Sequence, residues 1–583
     1  MQKPEVSTAS PPLTSTLAPG WLRRNLSLSN LYMAIFILVI GFLTAYPVWS
    51  VFFNSFRINP PGQPIAYGMD AWLRVFSEPA ILGTVGNSFL LAAGIVLTAT
   101  PLAVMFCWLL TRTDIPFKKT IEFLLWTGFF LPMSSIALGW ILLADPDYGV
   151  LNKFFISLPF FEKAPFNIYS YWGLIWVHLG FSTSIRFILL TPAFRGMDGA
   201  LEESAWMSGY GKVATLFKIT MPILLPAILA AVFLGFIKAL ESYEIELLIG
   251  VPAKFFVYST EVRYLINDPS RPDFGGASAL STLFLAVIFV LIFLYNKALK
   301  GRNFTTVTGK AQSTTPVRLG KLKPFALGFV VLYVLIVLGL PVGITLVGSV
   351  MKVFGFFTIK DPYTWAQWST VFSDTQFISN FANTMIMGLG SAFFGVILFF
   401  IVAYIVLRTT LSGRGLLDFL SWLPWALPGI LLGLGFLWLL LGNEVIKLIY
   451  GTMFALILVM IVKEFPLGVQ MSKSGLMQLS ADLEHAAWLS GASRFYAIRK
   501  IVLPLMFPAL VSVGLITFIS SIRDVAIVQM VGTHSSITLS LMLVEYAIGG
   551  SQGAAAVIGT ILILIVILMA GISYAVTKNI NRF

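Results

Sequence analysis

Twelve long apolar segments, separated by short polar stretches, dominate the pattern of hydrophobic and polar positions along the chain. The segments lie approximately at residues 30–53, 87–110, 121–144, 170–193, 222–247, 277–299, 325–349, 383–407, 418–441, 449–468, 504–526 and 553–576. A bilayer core about 30 Å thick needs roughly 20 apolar residues in a helix. Because an isolated strand cannot satisfy its backbone hydrogen bonds in lipid, each segment predicts a spanning helix. The pattern predicts an all-α integral membrane protein with about 12 transmembrane helices.

The composition supports this class. Charged residues make up 11% of the 583 residues and apolar residues 57%, a balance that a soluble surface could not tolerate. One cysteine, Cys107, and three scattered histidines give neither a disulfide framework nor a metal-ligand cluster, so no metal site is predicted. The net charge of +12 could indicate nucleic-acid binding. Its distribution along the chain instead follows membrane topology, and we expect lipid contact and no nucleic acid.

The basic residues are concentrated in alternate loops. The segment from Lys297 to Lys323 contains several lysines and arginines and no acidic residue, and the connections near Arg112 and Arg408 are also basic. They alternate with mixed or acidic loops at 145–169 and 527–552. Since basic loops remain in the cytoplasm, both termini of this multi-pass protein are predicted to be cytoplasmic.

The second part of the chain repeats the first. Matched pairs at constant offsets include Asn87 and Asn383, Arg112 and Arg408, Trp126 and Trp422, Pro132 and Pro428, Trp206 and Trp488, Pro222 and Pro504. The predicted organisation is a disordered cytoplasmic tail (1–29), a first transmembrane half (30–299), a cytoplasmic linker (300–324) and a second transmembrane half (325–577). Because each half has six spans, the halves share one orientation, and a translocation path is expected at their interface.

The loop between the fourth and fifth spans of each half carries the strongest local signal. The first copy runs from Glu203 to Gly209 and continues to Ile219 and Pro222, and the second runs from His485 to Gly491 and continues to Ile501 and Pro504. A short helix that ends at glycine, followed by a helix that starts near proline, fits the preferences of these residues. An ordinary connection on the membrane surface would explain one copy, but two copies at equal spacing favour a functional role.

This spacing, E-A-A-x3-G-x9-I-x-L-P, resembles the EAA loop of permeases of ATP-binding-cassette (ABC) importers with the MetI-like, type I fold. The resemblance extends from about residue 30 to 577, as two six-helix halves in tandem. It implies a bacterial inner-membrane permease, two copies of an ABC ATPase subunit that dock on the loops, and a periplasmic or extracellular substrate-binding protein. The coupling residues it implies are Glu203, Ala205, Gly209, Ile219, Pro222, Glu484, His485, Ala487, Gly491, Ile501 and Pro504. His485 replaces the family's glutamate, Glu484 beside it is a candidate substitute, and we expect the two docking contacts to differ.

The chain contains no phosphate-binding loop of its own, so it is predicted not to be an enzyme. ATP would be bound by the partner subunits, and no catalytic residue or cofactor is expected in this chain.

Charged residues within the spans have two interpretations. Glu241, Glu244 and Glu246 cluster toward the outer end of the fifth span, and Arg523 and Asp524 occupy nearly the equivalent place in the eleventh. A central charge costs roughly 2.5–3.5 kcal/mol on insertion scales, so such groups face partners or a water-filled path. Path lining by Glu241, Glu244, Arg523 and Asp524 is one hypothesis, and pairing that fixes helix packing is the other. The same alternatives hold for Arg186, Lys463 and Glu464, whereas His178 is expected to be a packed, hydrogen-bonded histidine.

The cargo is only weakly indicated. Residues 305–310 (TTVTGK) and 521–525 (SIRDV) resemble segments of fused ferric-iron permeases, so ferric iron is the expected substrate. Phosphonate, thiamine and polyamine permeases are alternatives within the family. A secondary transporter driven by an ion gradient is an alternative outside it, but it predicts no EAA loops. A membrane-embedded enzyme finds no nucleophile–base pair to support it.

Overall fold

The computed structural model describes residues 28–60, 63–270, 272–299 and 316–580. Within these residues the protein is all-helical, and its only extended pairings are three isolated β-bridges. The predicted tail lies outside the described residues except for its last two positions, which open the first helix. Of the predicted linker, residues 300–315 also lie outside.

The helices form two consecutive sets. The first comprises α1 (Leu28–Asn54), α2 (Asp70–Ser77), α3 (Pro79–Arg112), α4 (Lys118–Phe130), α5 (Met133–Ala144), α6 (Val150–Ile156), α7 (Tyr171–Gly196), α8 (Ala200–Met207), α9 (Lys212–Leu240), α10 (Tyr258–Asn267) and α11 (Phe274–Leu299). The second comprises α12 (Gly320–Gly348), α13 (Ala366–Ser373), α14 (Thr375–Arg408), α15 (Arg414–Trp422), α16 (Gly429–Gly442), α17 (Met453–Met477), α18 (Asp482–Leu489), α19 (Arg494–Ile522), α20 (Ala526–Val531), α21 (Leu539–Ile548) and α22 (Gln552–Ile580). Short π or 3-10 turns lie at Glu246–Gly250, Leu423–Ala426, Ile446–Ile449 and His534–Ser536.

The repeat in the sequence is a repeat in the structure. Helices α3 and α14 are both 34 residues long, and α9 and α19 are both 29 residues long. Ten helices of the described chain are long and apolar enough to span a membrane, or twelve if each of two bent helix pairs counts as one span. The predicted all-α fold with about twelve spans is therefore confirmed.

The third and ninth apolar segments are not the single straight spans that the sequence pattern predicted. Helices α4 and α5 meet at an angle of 100°, and α15 and α16, with the intervening 3-10 turn, meet at 111°. The breaks fall at Leu131–Pro132 and Leu427–Pro428, where the leucines have extended backbone angles. Proline disfavours a helical conformation in the residue before it and has no N–H to donate, so each segment turns at this point.

The first helix of each set packs against the broken helix pair of the other set. Helix α1 lies along α15 and α16, and α12 lies along α4 and α5. The contacts are close: a Cβ atom on Gly435 would lie 2.5 Å from the Pro47 carbonyl oxygen, and one on Gly139 would lie 2.3 Å from that of Pro341. Only glycine permits these approaches, and their reciprocity means that each set completes the packing of the other.

Candidate functional site

The two candidate coupling loops have the same backbone geometry. Gly209 and Gly491 adopt a φ of +85°, in the left-handed region that glycine enters without a steric cost. The residue after each glycine donates its N–H to a carbonyl five residues earlier, from Tyr210 to Ala205 and from Ala492 to Ala487, both at 3.0 Å. This bonding satisfies the carbonyl ends of α8 and α18 and fixes the direction in which the chain leaves them.

An ion pair, buried in the first half and partly buried in the second, joins each loop to the second span of its own half. Glu202 on α8 lies 3.7 Å from Arg112 at the end of α3 and accepts a 2.6 Å hydrogen bond from Thr220. In the second loop, Glu484 lies 3.3 Å from Arg408 at the end of α14 and accepts a 2.6 Å hydrogen bond from Tyr404.

The same arginines also bind the helix that precedes each loop. Arg112 donates to the carbonyl of Met197 at 2.6 Å, and Arg408 donates to those of Leu476 and Leu479 at 2.9 and 2.5 Å. Each arginine therefore joins three elements of its half: the end of its own helix, the end of the fourth or tenth span, and the loop helix.

In the first loop, the motif spacing pointed to Glu203, the neighbour of the buried Glu202. Glu203 is half-buried, and His485, at the equivalent position, is exposed. Glu484 is the counterpart of Glu202, so the structure does not place it as a substitute for the missing glutamate. The signal that could have identified Glu202 was the match of Arg112 with Arg408, because a buried and a half-buried arginine at equivalent helix ends both favour anionic partners.

The remaining candidate residues shape the entrance of the following span. Ala205 is buried and Ala487 half-buried, Ile219 and Ile501 are half-buried, and Pro222 and Pro504 are exposed. A π-helical turn precedes each proline, at Leu216–Thr220 and Ile498–Val502. Since proline cannot donate to the carbonyl four residues earlier, the turn before it widens in both halves.

Large apolar side chains project from both loops without covering. Met207 is 85% exposed and Leu489, at the equivalent position, is 91% exposed. Val213 and Phe495 are exposed on the following turns. Paired apolar patches of this kind at polar ends of helices are typical of protein interaction surfaces.

The end of the segment that joins the halves is attached beside the first loop. Val317 donates its N–H to Arg112 at 2.8 Å and accepts one from Asp114 at 3.2 Å. The carboxylate of Asp114 accepts the N–H of Leu319 and pairs with Lys323, and both interactions hold its pKa below the ordinary value. The end of α3, to which the first loop is anchored, is therefore also bound by the segment that joins the halves.

A second candidate site is a network of charged side chains where the halves meet. It contains the four predicted path-lining residues and three others from the described chain: Lys238, Glu241 and Glu244 of the first half, and Lys463, Glu464, Arg523 and Asp524 of the second. Within the halves, Lys238 pairs with Glu241 at 2.8 Å and Lys463 pairs with Asp524. Between them, Glu241 is near enough to interact electrostatically with Lys463, and Glu244 with Arg523.

The broken helix pair of the first half supplies the backbone groups that hold this network. The N–H of Ser134, at the start of α5, donates to Glu244 at 2.9 Å. The carbonyl of Phe129, at the end of α4, accepts a 2.5 Å hydrogen bond from Arg523. A helix start carries partial positive charge and a helix end partial negative charge, so the anion and the cation are each at the favourable end.

The network is polarised between the halves. Glu241 and Arg523 both close their helices, α9 and α19, at equivalent positions. Arg523 lies over the rings of Phe129 and Phe181 at 5.3 and 5.5 Å, whereas Lys238 lies over Trp425 at 5.2 Å. One half therefore presents a carboxylate and the other a guanidinium. The spans predicted to continue to 247 and 526 end before these residues, at Leu240 and Ile522, because the polar side chains bind neighbouring elements instead.

Glu246 lies apart from the network. It accepts a hydrogen bond from Ser242 at 2.7 Å and lies 2.8 Å from the Nε2 atom of His178, and both members of this histidine–glutamate pair are buried. His178 is thus packed and hydrogen-bonded, as expected. The pair fixes the turn after α9 against α7.

Comparison with known proteins agrees with this architecture. Residues 411–582 match the family model described as "Binding-protein-dependent transport system inner membrane component". The chain is 24% identical to the ferric transport system permease protein FbpB of Actinobacillus pleuropneumoniae over 540 residues, 91% of this chain and 75% of that protein. It is also 24% identical to a putative FbpB of Haemophilus influenzae, over 84% of this chain and 76% of that protein. A probable sulfate transport permease, cysT of Marchantia polymorpha, is 26% identical over 39% of this chain and 76% of its own length.

These matches confirm the resemblance that the paired loops indicated. Permeases of this family are multi-pass subunits without catalytic activity or a cofactor, and they work with ATPase and substrate-binding partners. Residues 411–582 are therefore a MetI-like permease segment of the binding-protein-dependent ABC transport family, and most of the chain is similar to ferric transport permeases.

Proposed function

We propose that this chain forms the complete translocation path of an ABC importer and couples it to two ATPase subunits through the loops α8–Gly209 and α18–Gly491. In this arrangement both termini and the 300–324 segment are cytoplasmic, and the tail, first half (30–299) and second half (325–577) have the organisation predicted from the sequence. The observation that carries the proposal is the duplicated arginine–glutamate anchor. A loop that receives force from a partner must pass it on, and Arg112 and Arg408 connect each loop to two spans.

The exposed apolar pair Met207 and Leu489 supports docking at these loops. The double variant Met207→Asp, Leu489→Asp is expected to abolish co-purification of the ATPase subunit. Charged groups would then replace the apolar side chains at the proposed contact with that subunit. Leu448→Asp is the matched control, since Leu448 is 80% exposed but lies in the loop between α16 and α17. Equal ATPase recovery from the loop variant and the control would contradict docking at these residues.

The two docking contacts are expected to differ. His485 is exposed where the first loop has Glu203, and its ring packs 5.1 Å from that of Trp488. A fused chain allows such specialisation, because each loop always meets its ATPase subunit in the same relative position.

The path runs between the halves and is closed in this state by the charge network. Lys463 lies near the middle of α17, so the network is located well inside the span. Cross-half contacts of Arg523 with Phe129 and Phe181 join the walls of the path. A closed gate made of ion pairs can open without leaving unpaired charges when water or a charged cargo replaces the internal partners.

Ferric iron is the cargo that we propose. The two relatives that match more than four fifths of this chain are named as ferric transport permeases, whereas the sulfate permease matches only part of it. The carboxylate oxygens of Glu241, Glu244, Glu464 and Asp524 suit a hard cation in transit, although among the described residues no three such groups are close enough to hold a metal ion together. Residues 305–310, part of the sequence support for iron, lie outside the described residues. Phosphonate, thiamine and polyamine permeases remain the alternatives within the family.

The cargo is tested by uptake into proteoliposomes that contain the permease, its ATPase and the binding protein encoded beside it. Labelled ferric iron is expected to accumulate only when two conditions are met. ATP must be supplied on the side of the membrane where the ATPase subunits are bound, and the binding protein must be present on the other side. Accumulation of a phosphonate, thiamine or a polyamine in place of iron would contradict the cargo. Uptake without any ATPase would contradict the ABC mechanism and favour an ion-coupled carrier.

A further inference from the structure

One arginine inside the first half has no anionic partner. Arg186 lies on α7, the fourth span, and its side chain is 0% exposed. Its Nη1 atom donates to the carbonyl of Ser182 on the same helix at 2.8 Å. Its Nε and Nη2 atoms are buried and have no hydrogen-bond partner among the described residues, and no described carboxylate pairs with it. Every other arginine discussed above has a carboxylate or an aromatic pair beside it.

The two free atoms lie on one edge of the guanidinium. Nε–H and Nη2–H are parallel donors, spaced to meet the two oxygens of a carboxylate or of a phosphate group. An unpaired charge buried in this way is strongly destabilising, so packing alone does not account for it. The edge left without hydrogen bonds is the one that binds oxyanions in a bidentate manner.

A glycine on the neighbouring span makes room for this edge. A Cβ atom on Gly235 of α9 would lie 2.4 Å from both Cζ and Nη2 of Arg186 and 2.7 Å from Nε. Gly235 precedes Glu241 by less than two turns, about 9 Å along the helix axis, so the guanidinium lies between α7 and α9 within two turns of the end of α9, where the charge network begins. The second half has no equivalent, because Gly468 occupies the position of Arg186 and is packed against Phe399.

We propose that Arg186 is an oxyanion-binding residue on the wall of the translocation path, a proposal that rests on the transport function above. A carboxylate or phosphate group binds its Nε–Nη2 edge when α7 and α9 separate, and the edge returns to Gly235 when they close. The anion is either part of the cargo, as an organic ligand of the cation, or a free inorganic ion. In both cases the site adds an anion requirement to a path whose other lining is rich in carboxylates.

The test is the thermal stability of the permease–ATPase complex in lipid nanodiscs, with metal-free citrate, inorganic phosphate or chloride at matched ionic strength. Both the resting complex and the complex trapped with ATP and vanadate are measured. Citrate or phosphate is expected to raise the melting temperature of the wild type in at least one state, and the anion that acts identifies the source. Arg186→Lys keeps the charge but not the two-donor edge, and is expected to weaken the apparent affinity about 10- to 100-fold.

Arg186→Met separates ligand binding from a structural role. Removing an unpaired buried charge is expected to raise the melting temperature without anion and to abolish the anion-dependent rise. Arg195→Met is the control, because Arg195 lies on the same helix, is 57% exposed and pairs with Glu122. Gly235→Ala, which displaces the guanidinium but keeps its charge, is expected to lose the anion effect as well.

Three results would overturn the proposal. The first is no anion effect on the wild type in either state, and the second is an undiminished anion effect in Arg186→Met. The third is a lower melting temperature of Arg186→Met without anion, which would mean that Arg186 only stabilises the packing. Co-purification of the ATPase subunit with the wild-type permease is measured separately, as the test of assembly. A complex that assembles and transports but shows no anion effect rejects the oxyanion site alone, whereas failure to assemble rejects the transport proposal.

Discussion

The Arg408→Ala variant is expected to lose nearly all ATP-driven uptake while the protein still inserts and purifies. The change leaves Glu484 buried without its cation and removes the bonds to the carbonyls of Leu476 and Leu479. Breaking a buried ion pair from one side costs about 3–5 kcal/mol, and even the lower figure, which suits this partly buried pair, lowers the population of a correctly held loop by about two orders of magnitude. Uptake and ATP hydrolysis in proteoliposomes measure the coupling.

A double variant and a surface control make this result specific. Arg408→Met combined with Glu484→Gln removes both charges, so it is expected to recover part of the stability that the single variant loses. Arg414→Ala should behave like wild type, because Arg414 is exposed and bonds only the nearby Thr409 carbonyl. If Arg408→Ala transports as well as Arg414→Ala does, the anchor has no role in coupling.

In the Arg523→Ala variant, the permease–ATPase complex is expected to hydrolyse ATP in the absence of the binding protein. Arg523 holds the resting state by a hydrogen bond to the end of α4 and by its contacts with two aromatic rings. A charge-assisted hydrogen bond contributes about 1.5–3 kcal/mol and a cation–π contact about 0.5–2 kcal/mol. Their loss shifts the equilibrium toward other states, so basal ATPase activity should rise at least about tenfold.

Arg523→Lys is expected to fall between wild type and alanine, since lysine keeps the charge but not the planar stacking surface. Lys473→Ala is the control, because Lys473 pairs with Asp418 within the second half and away from the network. Basal ATPase activity of Arg523→Ala at the wild-type level, with full dependence on the binding protein, would show that the network does not close the path.

The sequence predicted the class, the span count and the paired loops, because these depend on long apolar runs and on short-range spacing. It did not predict the bends at Leu131–Pro132 and Leu427–Pro428, although both prolines were visible as a matched pair. Proline is common in membrane helices, and only tertiary packing decides whether one kinks a span or breaks it.

The polar partners were harder to predict than the polar residues. Glu202 and Glu203 are adjacent and chemically identical, and their difference arises because Glu202 faces Arg112 on another helix. Glu244 and Glu246 likewise diverge, one toward the start of α5 and the other toward His178. These outcomes depend on which direction a side chain takes from its helix, and spacing along the chain does not contain that information.

The reciprocal packing of α1 and α12 has a consequence for biogenesis. The surface formed by α4 and α5 remains uncovered until α12 has been synthesised and inserted. Helix α1 likewise lacks its packing partners until α15 and α16 have been inserted. The first half therefore cannot reach its final packing during its own translation. A ribosome that stops after residue 299 releases a half with an open groove and an unattached first helix, which a quality-control protease can recognise and which a separately made second half can complete.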